Sequence, residues 1–225
     1  MTFNKQSLIS IFFSSLLLGL PVMLSATFIP AQISWAQSNS ASLQKGIEAY
    51  QNGNYQAAVQ EFNQAISEGA QAEKAYYLRG ISYLQLGKQQ QAIADYTKVI
   101  ELNAKNADAY YDRGIARTQI GNYEQAIADY NRALELKPDQ ERVYLNRGIA
   151  QSQQGNLEKA MADYNQAIEL NGELADAYAN RGVIHAAMGE KESAIEDLEK
   201  AAQLYQEQGN QSLYQTVQER LEQLE

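Results

Sequence analysis

Five glycines, Gly46, Gly80, Gly114, Gly148 and Gly182, stand 34 residues apart, and their neighbours repeat with them. A fixed period of that length marks an array of stacked supersecondary units, none able to bury its apolar face alone. The units run 39–72, 73–106, 107–140, 141–174 and 175–208. Seven residues after each glycine comes a second: Gly53, Gly87, Gly121, Gly155 and Gly189. Glycine adopts positive φ without strain, so this second column ends one helix sharply and starts the turn into another.

The second helix of each unit carries its own ladder. Ala58, Ala92, Ala126, Ala160 and Ala194 come first, followed four residues later by Phe62, Tyr96, Tyr130, Tyr164 and Leu198. Three further on are Ala65, Val99, Ala133, Ala167 and Ala201. Steps of four and three keep these residues on one helical face. Alanine and the first glycine of each unit permit close helix approach, and the ring fills the space between them. Four residues before that glycine stand Tyr76, Tyr110, Tyr144 and Tyr178, with Ser42 in the first unit.

This pattern is very similar to the tetratricopeptide repeat, whose signature spreads aromatic, Leu-Gly, Tyr, Ala, Phe and Pro over the same length. The resemblance covers residues 39–208. It departs where Arg79, Arg113, Arg147 and Arg181 replace the leucine before glycine, and where only Pro138 keeps the closing proline. Arg117, Gln151 and His185 stand in a column usually held by tyrosine. The resemblance implies an all-α, right-handed superhelical solenoid of five helix pairs. Residues 209–225 add Leu213, Val217, Leu221 and Leu224 at helical spacing, a capping helix for the exposed end that open arrays require.

The first 36 residues read differently. Lys5 precedes an apolar run from Leu8 to Leu20, and Ser34-Trp35-Ala36 places small residues before a cut that would leave Gln37 first. A cleaved export signal is the leading reading; an uncleaved anchor over residues 8–29 and a buried helix are the alternatives. Cleavage leaves 17 of the 18 basic residues and all 27 acidic ones, a net charge near −10. That balance opposes nucleic-acid binding, which needs Lys and Arg against phosphate, and opposes a polybasic membrane role. A membrane is contacted only through an uncleaved N-terminal segment. The expected location is the periplasm or another extracytoplasmic compartment.

No constellation for chemistry is apparent. The chain has no cysteine, so disulfides, thiolate catalysis and Cys-held metals are excluded. His185 is the only histidine; without a second histidine or a cysteine it has no companions for metal binding, and it sits in a packing column. No catalytic residue, cofactor or metal is therefore assigned. Each of Arg79, Arg113, Arg147 and Arg181 has an aspartate 16 residues on: Asp95, Asp129, Asp163 and Asp197. Catalysis has no use for four copies; a repeated ion pair or hydrogen-bonded bridge within or between repeats accounts for them.

In the resembled family the first helices line a concave groove that holds peptide segments. The residue after each glycine either faces it or packs against the neighbouring helices: Ile47, Ile81, Ile115, Ile149 and Val183. Four residues earlier stand Leu43, Tyr77, Tyr111, Leu145 and Ala179. Five residues beyond the glycine come Gln51, Gln85, Gln119, Gln153 and Ala187. Amides there bond a peptide backbone in either sense, and Tyr77 and Tyr111 in adjacent repeats are candidate anchors. Members that clamp acidic chaperone tails use Lys and Asn in such columns; here Lys74, Asp108, Arg142 and Asp176 alternate in sign, so that clamp is missing. The expected function is a non-enzymatic adaptor binding a protein or peptide in the groove, possessing no enzyme activity. The alternative is a self-associating structural repeat protein.

Overall fold

A computed structural model describes residues 40–69 and 71–224. The segment read as an export signal or anchor, residues 1–36, lies outside them. The expected all-α repeat of helix pairs is present, with eleven helices and no strand among the described residues. The contacts divide them into two compact units, 40–138 and 139–224.

The unit 40–138 holds α1 (Ala41–Gln51), α2 (Tyr55–Ser67), α3 (Ala72–Gln85), α4 (Gln89–Leu102), α5 (Ala107–Gln119) and α6 (Tyr123–Leu136). Helices pack in sequence order, α1 on α2, α2 on α3 and so on, with lighter contact between successive first helices, α1 with α3 and α3 with α5. Side-chain caps set several starts: Ser40, Asn54 and Asn106 accept from the backbone N–H groups of Leu43, Ala57 and Ala109. The stops are glycines at φ 73°, 68° and 78° (Gly53, Gly87 and Gly121). At each, the following N–H reaches back across the helix end, as from Lys88 to the Tyr83 carbonyl at 2.8 Å.

The core is the alanine–ring ladder. Ala58, Phe62, Ala65, Ala92, Tyr96, Val99, Ala126, Tyr130 and Ala133 are fully buried. Each ring lies on the first-helix glycine opposite. A Cβ built on Gly46, Gly80 or Gly114 would stand 2.5, 2.9 or 2.5 Å from Phe62, Tyr96 or Tyr130. The 34-residue glycine period therefore records where a ring needs bare backbone.

The unit 139–224 holds α7 (Glu141–Gln153), α8 (Leu157–Leu170), α9 (Ala175–Met188), α10 (Lys191–Glu207) and α11 (Gln211–Glu222). Tyr164 repeats the ring-on-glycine contact at Gly148, whereas Gly182 meets Leu198 and Asp197 instead. Helix α11 packs Leu213, Tyr214, Val217 and Leu221 against a cluster that includes Ala202, Leu204 and Tyr205 of α10. Asn210 caps its start.

Candidate functional site

The expected groove residues all lie on first helices, and burial sorts them. In the unit 40–138, Tyr77, Ile81 and Gln85 on α3 are half-buried. On α5, Tyr111 is half-buried, Ile115 is buried and Gln119 is exposed. In the unit 139–224, Ile149 and Gln153 on α7 are half-buried. The tyrosines stand less free than their columns suggest. The Tyr77 ring lies 5.8 Å from that of Tyr96, and Tyr111 pairs with Tyr130 at 6.1 Å. The Tyr77 hydroxyl donates to the Asp112 carboxylate at 2.7 Å, a bond from one repeat to the next.

Above Tyr77 the first turns of α3 and α5 enclose a cavity of about 420 Å³. Gln71, Ala72, Glu73, Lys74 and Tyr77 of the α3 side and Asn106 and Asp108 of the α5 side line it. Glu73 accepts from the side-chain amides of Asn103 and Asn106, and Lys137 holds Asp108 at 2.9 and 3.1 Å. Burial holds the Lys74 ammonium below the usual lysine range.

A set of polar forks recurs from pair to pair. Each arginine grips its aspartate through Nε and Nη2: Arg79 to Asp95, Arg113 to Asp129, Arg147 to Asp163 and Arg181 to Asp197, at 2.6–3.0 Å. The repeated 16-residue spacing is thus a fork joining the two helices of one pair. A third contact reaches between repeats, through acceptors the sequence expectations did not name. Nη1 of Arg79, Arg113 and Arg181 donates to Asn63, Thr97 and Asn165, each 16 residues earlier, in the preceding repeat. A tyrosine three residues before each arginine (Tyr76, Tyr110, Tyr144, Tyr178) lies under its guanidinium at 5.2–5.6 Å. Arg117 adds a second arginine to Asp129 at 2.6 Å.

His185 sits beside the last of these forks, with Nδ1 2.5 Å from Glu190 and Nε2 3.8 Å from Asp197. Nδ1 is held by a structural partner, and Nε2 lies near a carboxylate beyond hydrogen-bond distance. Among the described residues, no group of three or more His, Cys, Asp or Glu side chains could hold a metal ion, and no helix is long and apolar enough to cross a membrane. What the first-helix face offers is surface: half-buried rings, aliphatic side chains, amides and a polar cavity.

Comparison with known proteins bears on the family and the fold. A TPR repeat family model matches residues 80–121, 114–155 and 152–189, and a tetratricopeptide repeat model matches 175–208. No curated protein matches. Among solved structures, MamA from Desulfovibrio magneticus RS-1 is similar at 22% identity with a TM-score of 0.69, covering 74% of this chain and 94% of its own. A second crystal structure of MamA gives 22% identity and 0.68, covering 73% and 96%. A thermophilic TPR protein in Thermus thermophilus gives 22% and 0.60, covering 81% and 96%. At these identities the likeness concerns the fold.

Proposed function

Since the chain belongs to the tetratricopeptide repeat family, we propose that it is a non-enzymatic adaptor that holds a segment of a protein partner against its first helices. The observation that carries this is the contrast between the two helices of each pair. The ladder rings and alanines of the second helices are buried, while Tyr77, Tyr111, Ile81, Gln85 and Gln119 keep accessible surface, Tyr77 in the lining of a cavity. Half-buried aromatic rings are rigid contact surface that costs little side-chain entropy to use. The amides supply hydrogen bonds to a backbone in either direction.

The adaptor acts outside the cytoplasm in this proposal. The support is the order of residues 1–36: one lysine, an apolar run, then small residues before Gln37. Assembly of envelope or membrane complexes is the setting that fits such an address. Fractionation with N-terminal sequencing tests it: a soluble extracytoplasmic product beginning at Gln37 supports the export reading, and a cytoplasmic product that keeps Met1 defeats it.

The binding reading is tested by affinity capture from native envelope extract, comparing the protein with a Tyr77→Ala, Tyr111→Ala double variant. A partner held by the first and lost by the second places binding on this face. Equal retention by both moves it elsewhere. The alternative, self-association, draws support from a cavity of about 340 Å³ between α10 and α11, lined in part by Ile195, Tyr214 and Leu221. Light scattering across concentration separates the two, since a constant monomer mass removes self-association.

A further inference from the structure

Five aspartates in the described residues are buried, and four of them hold an arginine. Asp112 is the exception. It is 7% exposed, and the side-chain donor it accepts from is neutral, the Tyr77 hydroxyl. No lysine or arginine among the described residues forms an ion pair with it. A buried carboxylate without a counter-charge is costly, and proteins keep such groups chiefly where they are used. A second observation lies beside it. The Tyr96 hydroxyl, on a fully buried side chain whose ring is tilted 59° to that of Tyr77, has no hydrogen-bond partner among the described residues. Leu84 stands where Thr118 serves the Tyr130 hydroxyl, so what Tyr96 contributes here is its ring.

Asp112 and Tyr96 do not themselves line the cavity at the first turns of α3 and α5; Tyr77, which does, is bonded to the one and lies against the ring of the other. Asp108, which lines that cavity, lies four residues before Asp112 and so on the same face of α5. Tyr77 spans the two, in the cavity wall and bonded to Asp112. Resting on the groove reading above, we propose that this face receives a cationic side chain of the partner segment, a lysine or arginine, which pairs with Asp112 over the tyrosine rings. Coulombic attraction to two carboxylates and cation–π contact with Tyr77 act on the same positive group. Lys137 already neutralises much of Asp108, so Asp112 provides the charge that is uncompensated.

Binding is then linked to protonation. Burial, assisted by the charge of Asp108 and opposed by the Tyr77 bond, pushes the Asp112 carboxyl up to about 7. Its charge acts on the phenols of Tyr50 of α1, Tyr77 of α3, Tyr96 of α4 and Tyr130 of α6, and the charge of Asp108 of α5 acts on it. Burial raises all four phenols, Tyr50 to about 12, so they keep their protons through the neutral range. A cation pairs only with the ionised carboxylate. Affinity therefore rises as pH passes upward through neutrality, and a proton leaves as the ligand enters.

The test uses short capped peptides that differ only in a central lysine, norleucine or glutamate, titrated into the full chain and followed by fluorescence anisotropy. The lysine peptide is expected to bind best, gaining about tenfold in affinity between about pH 6 and about pH 8. Asp112→Asn, which keeps an acceptor for Tyr77, is expected to reduce it to the norleucine level at both values, with the helical circular dichroism unchanged. Equal binding of lysine and norleucine peptides, or a lysine preference that survives Asp112→Asn, overturns the proposal. In those cases sensitivity to Tyr77→Ala, Tyr111→Ala leaves the groove reading standing. Absence of binding by every peptide, or indifference to that double variant, overturns both.

Discussion

Tyr96 and Tyr130 occupy the same column, and their hydroxyls fare differently because of one residue on the facing helix. The Tyr130 hydroxyl lies 3.0 Å from Thr118 Oγ1; Leu84 stands at the matching position opposite Tyr96, whose hydroxyl is orphaned. Tyr96→Phe is therefore expected to be neutral or slightly stabilising. Tyr130→Phe should cost about 1 kcal/mol, the net worth of a buried hydrogen bond. Paired denaturant titrations check the contrast, and equal losses in the two variants would refute it. Asp112 gives a pH-dependent counterpart. Its folded pKa, near 7, exceeds the unfolded carboxylate value, so the folded state holds the proton longer. Stability due to this group is present at acid pH and is lost as pH climbs toward 7. Burial also raises Asp95, which adds a slope of the same sign, so the informative quantity is the difference between proteins. Asp112→Asn should flatten the fall in melting temperature between about pH 5 and about pH 8 and raise stability at the upper end.

Pairs of helices are held by two devices, a ring on a glycine and an arginine fork. At Gly114 an added methyl would meet the Tyr130 ring at 2.5 Å, and that ring is fully buried. Gly114→Ala should therefore destabilise by about 1–3 kcal/mol of overpacking, against roughly 1 kcal/mol gained in helix propensity. Gly172→Ala, where the nearest atom is 4.0 Å away, serves as the control and should be nearly silent in the same melt. For the fork, Asp129 binds both Arg113 and Arg117, so Asp129→Asn leaves two guanidinium groups short of an acceptor. It should cost more than Asp163→Asn, by about 1–2 kcal/mol, since removing one partner of a buried pair strands the other. The glycine period, the helix pairs and the fork spacing were all legible in the sequence, because each is a fixed offset that repeats. The link from arginine to the preceding repeat was not: its acceptors, Asn63, Thr97 and Asn165, vary in type and look like solvated polar positions. Nor could the tie between Tyr77 and Asp112 be read there. The column of Asp112 holds Gln44, Leu78, Asn146 and Asn180 elsewhere, and a column without a consensus carries no period.

For the chain as a whole, the exposed end of the last pair is the point of weakness. Helix α11 covers Ala202, Leu204 and Tyr205 with Leu213, Val217 and Leu221. Truncation after Gln208 uncovers that cluster, so the shortened protein should melt earlier and show mass that grows with concentration in light scattering. An unchanged melt and a constant mass would show that α11 is dispensable. The arginine forks bear on ancestry as well as on stability. A rung needs one aspartate in its own repeat and one polar acceptor in the repeat before it, and nothing farther away. A duplicated or deleted block of 34 residues would therefore bring its own rung and find its own neighbour. Such an architecture can change its length by copying, with every junction already written into the part that is copied.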